Sequence, residues 1–183
     1  MMTAEYREVL DLWFSEAVRP LWFRSTPEFD ARLRDRFLHV WEAAARGDLD
    51  HWRGSPEGAL ALVIVLDQFP LNMFRGEARS FSTEAMSREV AEQAIDKGWD
   101  RELDAAGKAF LYLPFMHGES LADQERSVQL FRDAGLADNL RWAEHHRDII
   151  HRFGRFPHRN AVLGRENTPE ESAWLRSEEA FLG

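Results

Sequence analysis

The segment from His146 to Asn160, HRDIIHRFGRFPHRN, carries four arginines and three histidines in fifteen residues. Guanidinium forks hold carboxylates and phosphates through paired hydrogen bonds, and imidazole is the side chain that changes charge nearest neutral pH. This mixture has the chemistry to clamp an anion or to move a proton on one. The same residue types also serve as internal ion-pair partners, so their placement decides the reading. Two other stretches offer complementary groups. Asp67, Gln68, Asn72 and Arg75 stand in DQFPLNMFR, and His117, Glu119 and Gln124 stand in HGESLADQ.

Helical phasing separates these groups. Over 138–153, Trp142, Ile149 and Phe153 share an apolar stripe with His146 in its middle, flanked by Arg152 and His145. His151 and Arg147 fall on the outer face. Over 56–69, Leu60, Val63, Ile64 and Asp67 share one stripe, so the carboxylate points with the core and requires a partner. Over 121–134, Leu121, Val128 and Phe131 make the stripe, with Gln124 between them and Glu125 at its edge. Beyond Gly154, the residues Arg155, His158, Arg159 and Asn160 belong to the following turn.

The elements that carry these residues read as helices. Thr26-Pro27-Glu28, Ser55-Pro56-Glu57 and Thr168-Pro169-Glu170 each place a capping hydroxyl before a proline that needs no N–H and an acid that suits the helix dipole. Glu171 completes a capping box with Thr168, and Ser120 caps a further start. Gly47, Gly98, Gly135 and Gly154 mark left-handed stops. Helices are expected near 4–16, 27–46, 56–69, 83–97, 105–113, 121–134, 138–153 and 169–180, with Pro70 ending the third. ALALVIVL (59–66) could be a buried strand, but its Ser-Pro-Glu entry favours a helix buried on all sides and no other segment offers a strand to pair with. The expectation is a single all-α domain over 1–183, with about eight helices and no sheet.

Composition narrows the function. Seven tryptophans and thirteen phenylalanines put much of the core energy into aromatic packing. The absence of cysteine excludes disulfides and thiolate chemistry. The start, MMTAEYREVLDLWF, lacks the basic-then-apolar pattern of a secretory signal, and a cytoplasmic protein is expected. The net charge of −9 opposes general affinity for nucleic acid or an anionic membrane. Residues 141–165 nevertheless hold a net +4, leaving −13 on the rest. A basic island in an acidic chain is either internally paired or an anion site.

Three segments carry a resemblance: LDQFPLNMFRGEARSFSTEA (66–85), YLPFMHGESLADQERSVQLF (112–131) and HRDIIHRFGRFPHRNAVLGRENTPEESAWL (146–175). With the Val9–Phe14 start, they resemble a bacterial family of uncharacterised proteins catalogued as domain of unknown function 924. The family pattern falls on Asp67, Gln68, Phe69, Pro70, Asn72, Arg75 and Gly76, then on Pro114, Phe115, His117, Glu119, Gln124 and Glu125. It continues on His146, Arg147, Asp148, Arg152 through Asn160, Gly164, Arg165, Glu166, Thr168 and Pro169. Leu71, Gly118 and Asn167 depart from the more usual Arg, Ser and Ser. The resemblance implies a fold similar to tetratricopeptide-repeat proteins, a right-handed superhelix of antiparallel helix pairs, and it implies no activity.

Three chemistries compete for these residues. A metal hydrolase could draw on His117, Glu119, His146, Asp148 and His158, but no ligand spacing such as HExxH is present and neighbouring arginines disfavour a cation, so no metal or other cofactor is expected. Acid–base catalysis could use His146 or His117 with Asp67 or Glu119 as the orienting carboxylate. Binding without turnover would use Asp67, Gln68, Asn72, Arg75, His117, Gln124, His146, Arg152, Arg155, His158, Arg159 and Asn160 as one polar pocket for a small or peptidic anion. Binding is the first expectation and catalysis on the same ligand the alternative, followed by a protein-interaction module with a purely structural polar network. The sequence does not fix the oligomeric state.

Overall fold

The structure, a computed structural model, describes residues 2–180, with side chains from Tyr6 onward. Among these residues there are eight α-helices and no strand: α1 Met2–Trp13, α2 Pro27–Ala45, α3 Pro56–Met73, α4 Glu84–Asp96, α5 Ala105–Met116, α6 Leu121–Asp133, α7 Ala137–Phe153 and α8 Pro169–Leu175. The all-α expectation holds. The expected caps form as well: Thr26, Ser55, Ser120 and Thr168 accept from the backbone N–H of Phe29, Gly58, Asp123 and Glu171 at 3.2, 3.0, 3.1 and 3.1 Å.

Two prolines correct the expected helix ends. α3 continues through Pro70 to Met73, and α5 continues through Pro114 to Met116. A proline at position 70 has no N–H to offer the carbonyl of Leu66, four residues earlier, and such a loss ordinarily kinks or ends a helix. Here Thr83 supplies the missing donor: its hydroxyl donates to Leu66 O at 2.6 Å and accepts from Trp41 Nε1 at 3.2 Å. A hydroxyl from outside the helix therefore restores what proline removes, and the helix runs on.

The chain groups into two compact units, Met1–Arg75 with Arg79–Pro114, and Gly76–Ala78 with Phe115–Gly183. In the first, α3 is the central element, with α1, α2 and α4 packed against it. Every residue from Gly58 to Pro70 is buried, as a helix enclosed on all sides requires. Burying each large apolar side chain of this kind contributes about 1.5–3 kcal/mol. The aromatic share is large: Trp13 lies 5.7 Å from Phe69 and 5.6 Å from Phe110, ring centre to ring centre.

In the second unit α6 packs on α7, and Ile149, Ile150, Phe156 and Trp174 form a core flanked by Phe153 and Leu175. Two members of the expected stripes lie at the surface instead. Trp142 is 49% exposed and Leu121 44%. At this level of α7 the covered side is that of Ala143, which leaves Trp142, one residue earlier, at its edge, and Leu121 is the first residue of its helix. Ala143 and Ser127 are fully buried in their place.

Candidate functional site

The basic segment is built around two carboxylates. Gly154 takes a φ of +72° and stops α7, which sends Arg155 toward α8. Arg155 grips Glu171 with both arms of its fork, Nε donating to Oε2 at 3.1 Å and Nη2 to Oε1 at 2.9 Å. Its Nη2 also donates to Glu166 O at 2.7 Å. Glu171 further accepts from Asn160 Nδ2 and from Thr168 N–H, the latter closing the capping box. Asn160 is wholly buried and donates as well to Asn167 Oδ1 at 2.8 Å.

Glu119 anchors the other half. It accepts from Phe156 N–H at 2.7 Å and from Arg165 Nη1 and Nη2 at 2.9 and 3.1 Å. Arg159 Nη1 stands 4.0 Å from the same carboxylate, and its Nη2 donates to His117 O at 3.1 Å. Arg165 Nε donates to Asn160 Oδ1 at 2.9 Å, joining the two carboxylate centres into one network. Burial alone would raise the pKa of both Glu119 and Glu171. Hydrogen bonds from Arg165 and Phe156 in one case, and from Arg155 and Asn160 in the other, overcome it and hold both below the ordinary glutamate value. Charge-assisted forks of this kind are the strong hydrogen bonds of proteins. They use most of the donors that an external anion would need.

The histidines are neutral parts of the same region. His146 is buried as expected, and its Nδ1–H donates to Trp142 O at 2.7 Å. A carbonyl can only accept, so the proton sits on Nδ1. Burial pushes the His146 pKa down to about 3, assisted by His117, His145 and His158 and opposed by the Trp142 bond. His158 falls to about 4, through burial and then the adjacent Arg159. The Phe156 ring lies 5.6 Å from His146 and 5.5 Å from His158. Two imidazoles held this far below neutrality carry no charge at pH 7. They are also poor general bases there, because efficient proton transfer needs a pKa near the working pH.

The remaining members of the second unit do different work. Gln124, fully buried, donates through Nε2 to Met116 O at 2.8 Å and Gly118 O at 2.7 Å, closing the open end of α5. Arg152 is exposed, lies over the Phe153 ring at 4.7 Å and has no carboxylate partner among the described residues. His151 is exposed, as the phasing expects, whereas Arg147 is half-buried beside Asp148.

In the first unit, Asp67 is buried and accepts from Gln68 Nε2 at 2.9 Å. A carboxylate oxygen of Glu84, also buried, lies within 4.8 Å of one on Asp67. Such a pair can give two oxygens to a cation. Asn72 and Arg75 turn elsewhere: Asn72 Nδ2 and Arg75 Nε donate to Asp30 at 2.7 and 2.9 Å, and Ser25 Oγ donates to it at 2.6 Å. Burial would raise the Asp30 pKa, but these donors bring it below the ordinary value.

The model of a family of bacterial proteins of unknown function, domain of unknown function 924, matches residues 9–179. The chain belongs to this family. It is similar to a solved structure titled as a protein of unknown function from Agrobacterium tumefaciens, at 43% identity and a TM-score of 0.92, covering 96% of this chain and 99% of that one. The comparison with curated proteins gave no match. Domain-924 membership thus fixes the fold and leaves the chemistry to the residues.

For this member of the domain-924 family, sequence phasing missed two carboxylates that stand against the candidate residues. Asp30 stands on α2 in the first turn, where an acid is already explained by the helix dipole, and nothing local shows that it meets Asn72 and Arg75. Glu84 is the first residue of α4 and invites the same reading. Glu171 was legible as a cap, yet its second task, neutralising Arg155, depends on the turn after Gly154. Among the described residues no helix is long and apolar enough to cross a membrane.

Proposed function

We propose that this protein is a non-catalytic helical binding module of the cytoplasm that meets a small or peptidic anion at the surface of its basic segment. The carrying observation is how the guanidinium groups are used. Arg165 and Arg159 address Glu119, and Arg155 addresses Glu171. Arg152, exposed and without a carboxylate among the described residues, and the Nη1 of Arg155, which the Glu171 fork does not use, are left for a ligand. The groups beneath form a structural tie that holds residues 155–168 in place. His146 and His158, neutral at pH 7, support binding over acid–base turnover.

The test separates the surface from the tie. Thermal stability is followed while citrate, inorganic phosphate or a tetraglutamate peptide is added at constant ionic strength. Wild type should be stabilised by at least one of these, and Arg152→Gln should lose the effect while keeping the melting temperature in buffer. Glu119→Gln should behave oppositely, costing about 2–4 kcal/mol because it strips the charged acceptor from Arg165 and Arg159. Combined with Arg165→Gln it should cost less than the sum of the single changes. No stabilisation by any anion, or an unchanged response in Arg152→Gln, defeats the binding reading.

A second reading is favoured by the buried Asp67–Glu84 pair: acid–base chemistry in which one of the two carboxylates takes or gives the proton. It predicts that Asp67→Asn abolishes a hydrolytic activity, found by screening ester, amide and phosphoester substrates, while the melting temperature holds. If no substrate class is turned over by wild type, this reading fails.

A further inference from the structure

The first unit displays a surface that the polar segments do not explain. Between α1 and α2, the segment RPLWFR (19–24) carries Phe23, which is 71% exposed. Phe23 stacks on the buried Phe110 with ring centres 6.2 Å apart and planes 13° from parallel. Trp22 stands edge-on to the same ring at 4.7 Å and donates from Nε1 to Trp13 O at 2.8 Å. Arg19 donates from Nε to Phe14 O at 2.9 Å, with its guanidinium 5.2 Å from the Trp22 ring centre. Trp22 is fixed by these contacts and Phe23 is backed by the Phe110 ring, so little conformational freedom would be lost on binding. Arg19 and Arg24 are both exposed and have no carboxylate partner among the described residues.

We propose that this Arg19–Arg24 surface docks a short peptide segment in which an aspartate or glutamate neighbours an aromatic or aliphatic side chain. Exposed Phe23 and half-buried Trp22 beside two exposed arginines have the aromatic and arginine composition of protein interfaces. The apolar side chain would lie on Phe23 and Trp22, and the carboxylate would meet Arg24 and the free arm of Arg19. Charge selects among the occupants. A second copy docking this same face by a two-fold axis sets arginine against arginine. An anionic membrane extends well past the patch and meets a chain of net charge −9. A short peptide stays within about 8 Å of the two arginines, where their field is least screened. This inference deepens the binding-module reading but rests on residues of the other unit, so its fate is separable from that of Arg152.

The experiment selects a phage-displayed random dodecapeptide library on the full chain and counter-selects on Phe23→Ala/Arg24→Glu. The expected outcome is enrichment of peptides pairing an acid with an apolar residue. A recovered peptide, followed by fluorescence anisotropy, should bind each single variant about tenfold or more weakly and lose affinity as salt rises. Circular dichroism should show both variants as helical as wild type, since Phe23 and Arg24 are exposed. The proposal is overturned if no peptides are enriched, if those enriched lack carboxylates, or if the variants bind equally. It is equally overturned if Phe23→Ala abolishes cosedimentation with phosphatidylglycerol vesicles or a concentration-dependent dimer, which would assign the surface to a membrane or a second copy.

Discussion

Lowering the pH from 8 to 5 should destabilise this protein through His146 and His158. A histidine in the unfolded chain titrates near 6.5, whereas in the folded state His146 titrates at about 3 and His158 at about 4. Both folded values are depressed, so between pH 6.5 and 4 the unfolded chain binds protons that the folded chain refuses. Stability then rises with pH through this window and is lost as pH falls. At pH 5, His146 alone costs about 2 kcal/mol relative to pH 8, from the ratio of the two binding polynomials. His158 adds up to as much again, discounted because solvent partly reaches its ring. The total is about 2–4 kcal/mol, a large fraction of the 5–15 kcal/mol typical of a folded domain. Glu119, Glu171 and Asp30, all held below the ordinary carboxylate values, begin to lose their contributions only as pH nears the unfolded glutamate value of 4.5, which leaves the span from pH 8 to 5 mainly to the histidines. Urea unfolding at half-unit steps of pH measures the effect, and His146→Gln should reduce the slope at pH 5 by about 1.3 kcal/mol per pH unit. Equal stability at pH 5 and pH 8 would refute the reasoning, as would a His146 imidazole proton resonance titrating near 6.5.

Three further outcomes follow from the packing. Thr83→Val should cost about 1–3 kcal/mol in urea unfolding, because Leu66 O loses the donor that compensates for Pro70 and Trp41 Nε1 loses its acceptor. Gly58→Ala should cost about 1–3 kcal/mol, since a Cβ there would press on the Trp52 backbone, with the carbonyl carbon only 3.1 Å away. Asp30→Ala should cost about 1–3 kcal/mol by stripping Asn72, Arg75 and Ser25 of their shared acceptor. The Asp30 variant should also make Arg75 more accessible to a guanidine-selective reagent such as phenylglyoxal, read by mass spectrometry.

Local chemistry made much of the architecture legible. A hydroxyl followed by proline and glutamate marks a helix start wherever it occurs, since the cap, the missing N–H and the dipole all act within one turn. Thr26, Ser55 and Thr168 could therefore be placed without a fold. Burial of His146 and Asp67 followed in the same way, because neighbours at helical spacing dictate direction. Trp142 and Leu121 were misplaced because phasing gives only the direction of a side chain. Whether anything lies in that direction depends on which side of α7 is covered at that level and on how near a residue is to its helix end.

What the sequence determined by itself was the all-α class, the family and the inward direction of Asp67, Gln124 and His146, because each rests on interactions between residues a few positions apart or on extended motifs. The tertiary structure alone decided what those polar groups do. Arg155 finds Glu171 sixteen residues away, Arg165 finds Glu119 across forty-six, and Thr83 reaches Leu66 across seventeen to let a helix pass its proline. A guanidinium reads the same in sequence whether it awaits a ligand or holds a carboxylate, since its charge is satisfied through space and not along the chain. The partner, supplied by folding, is what turned most of HRDIIHRFGRFPHRN from an anion clamp into a structural tie and left Arg152 at its surface.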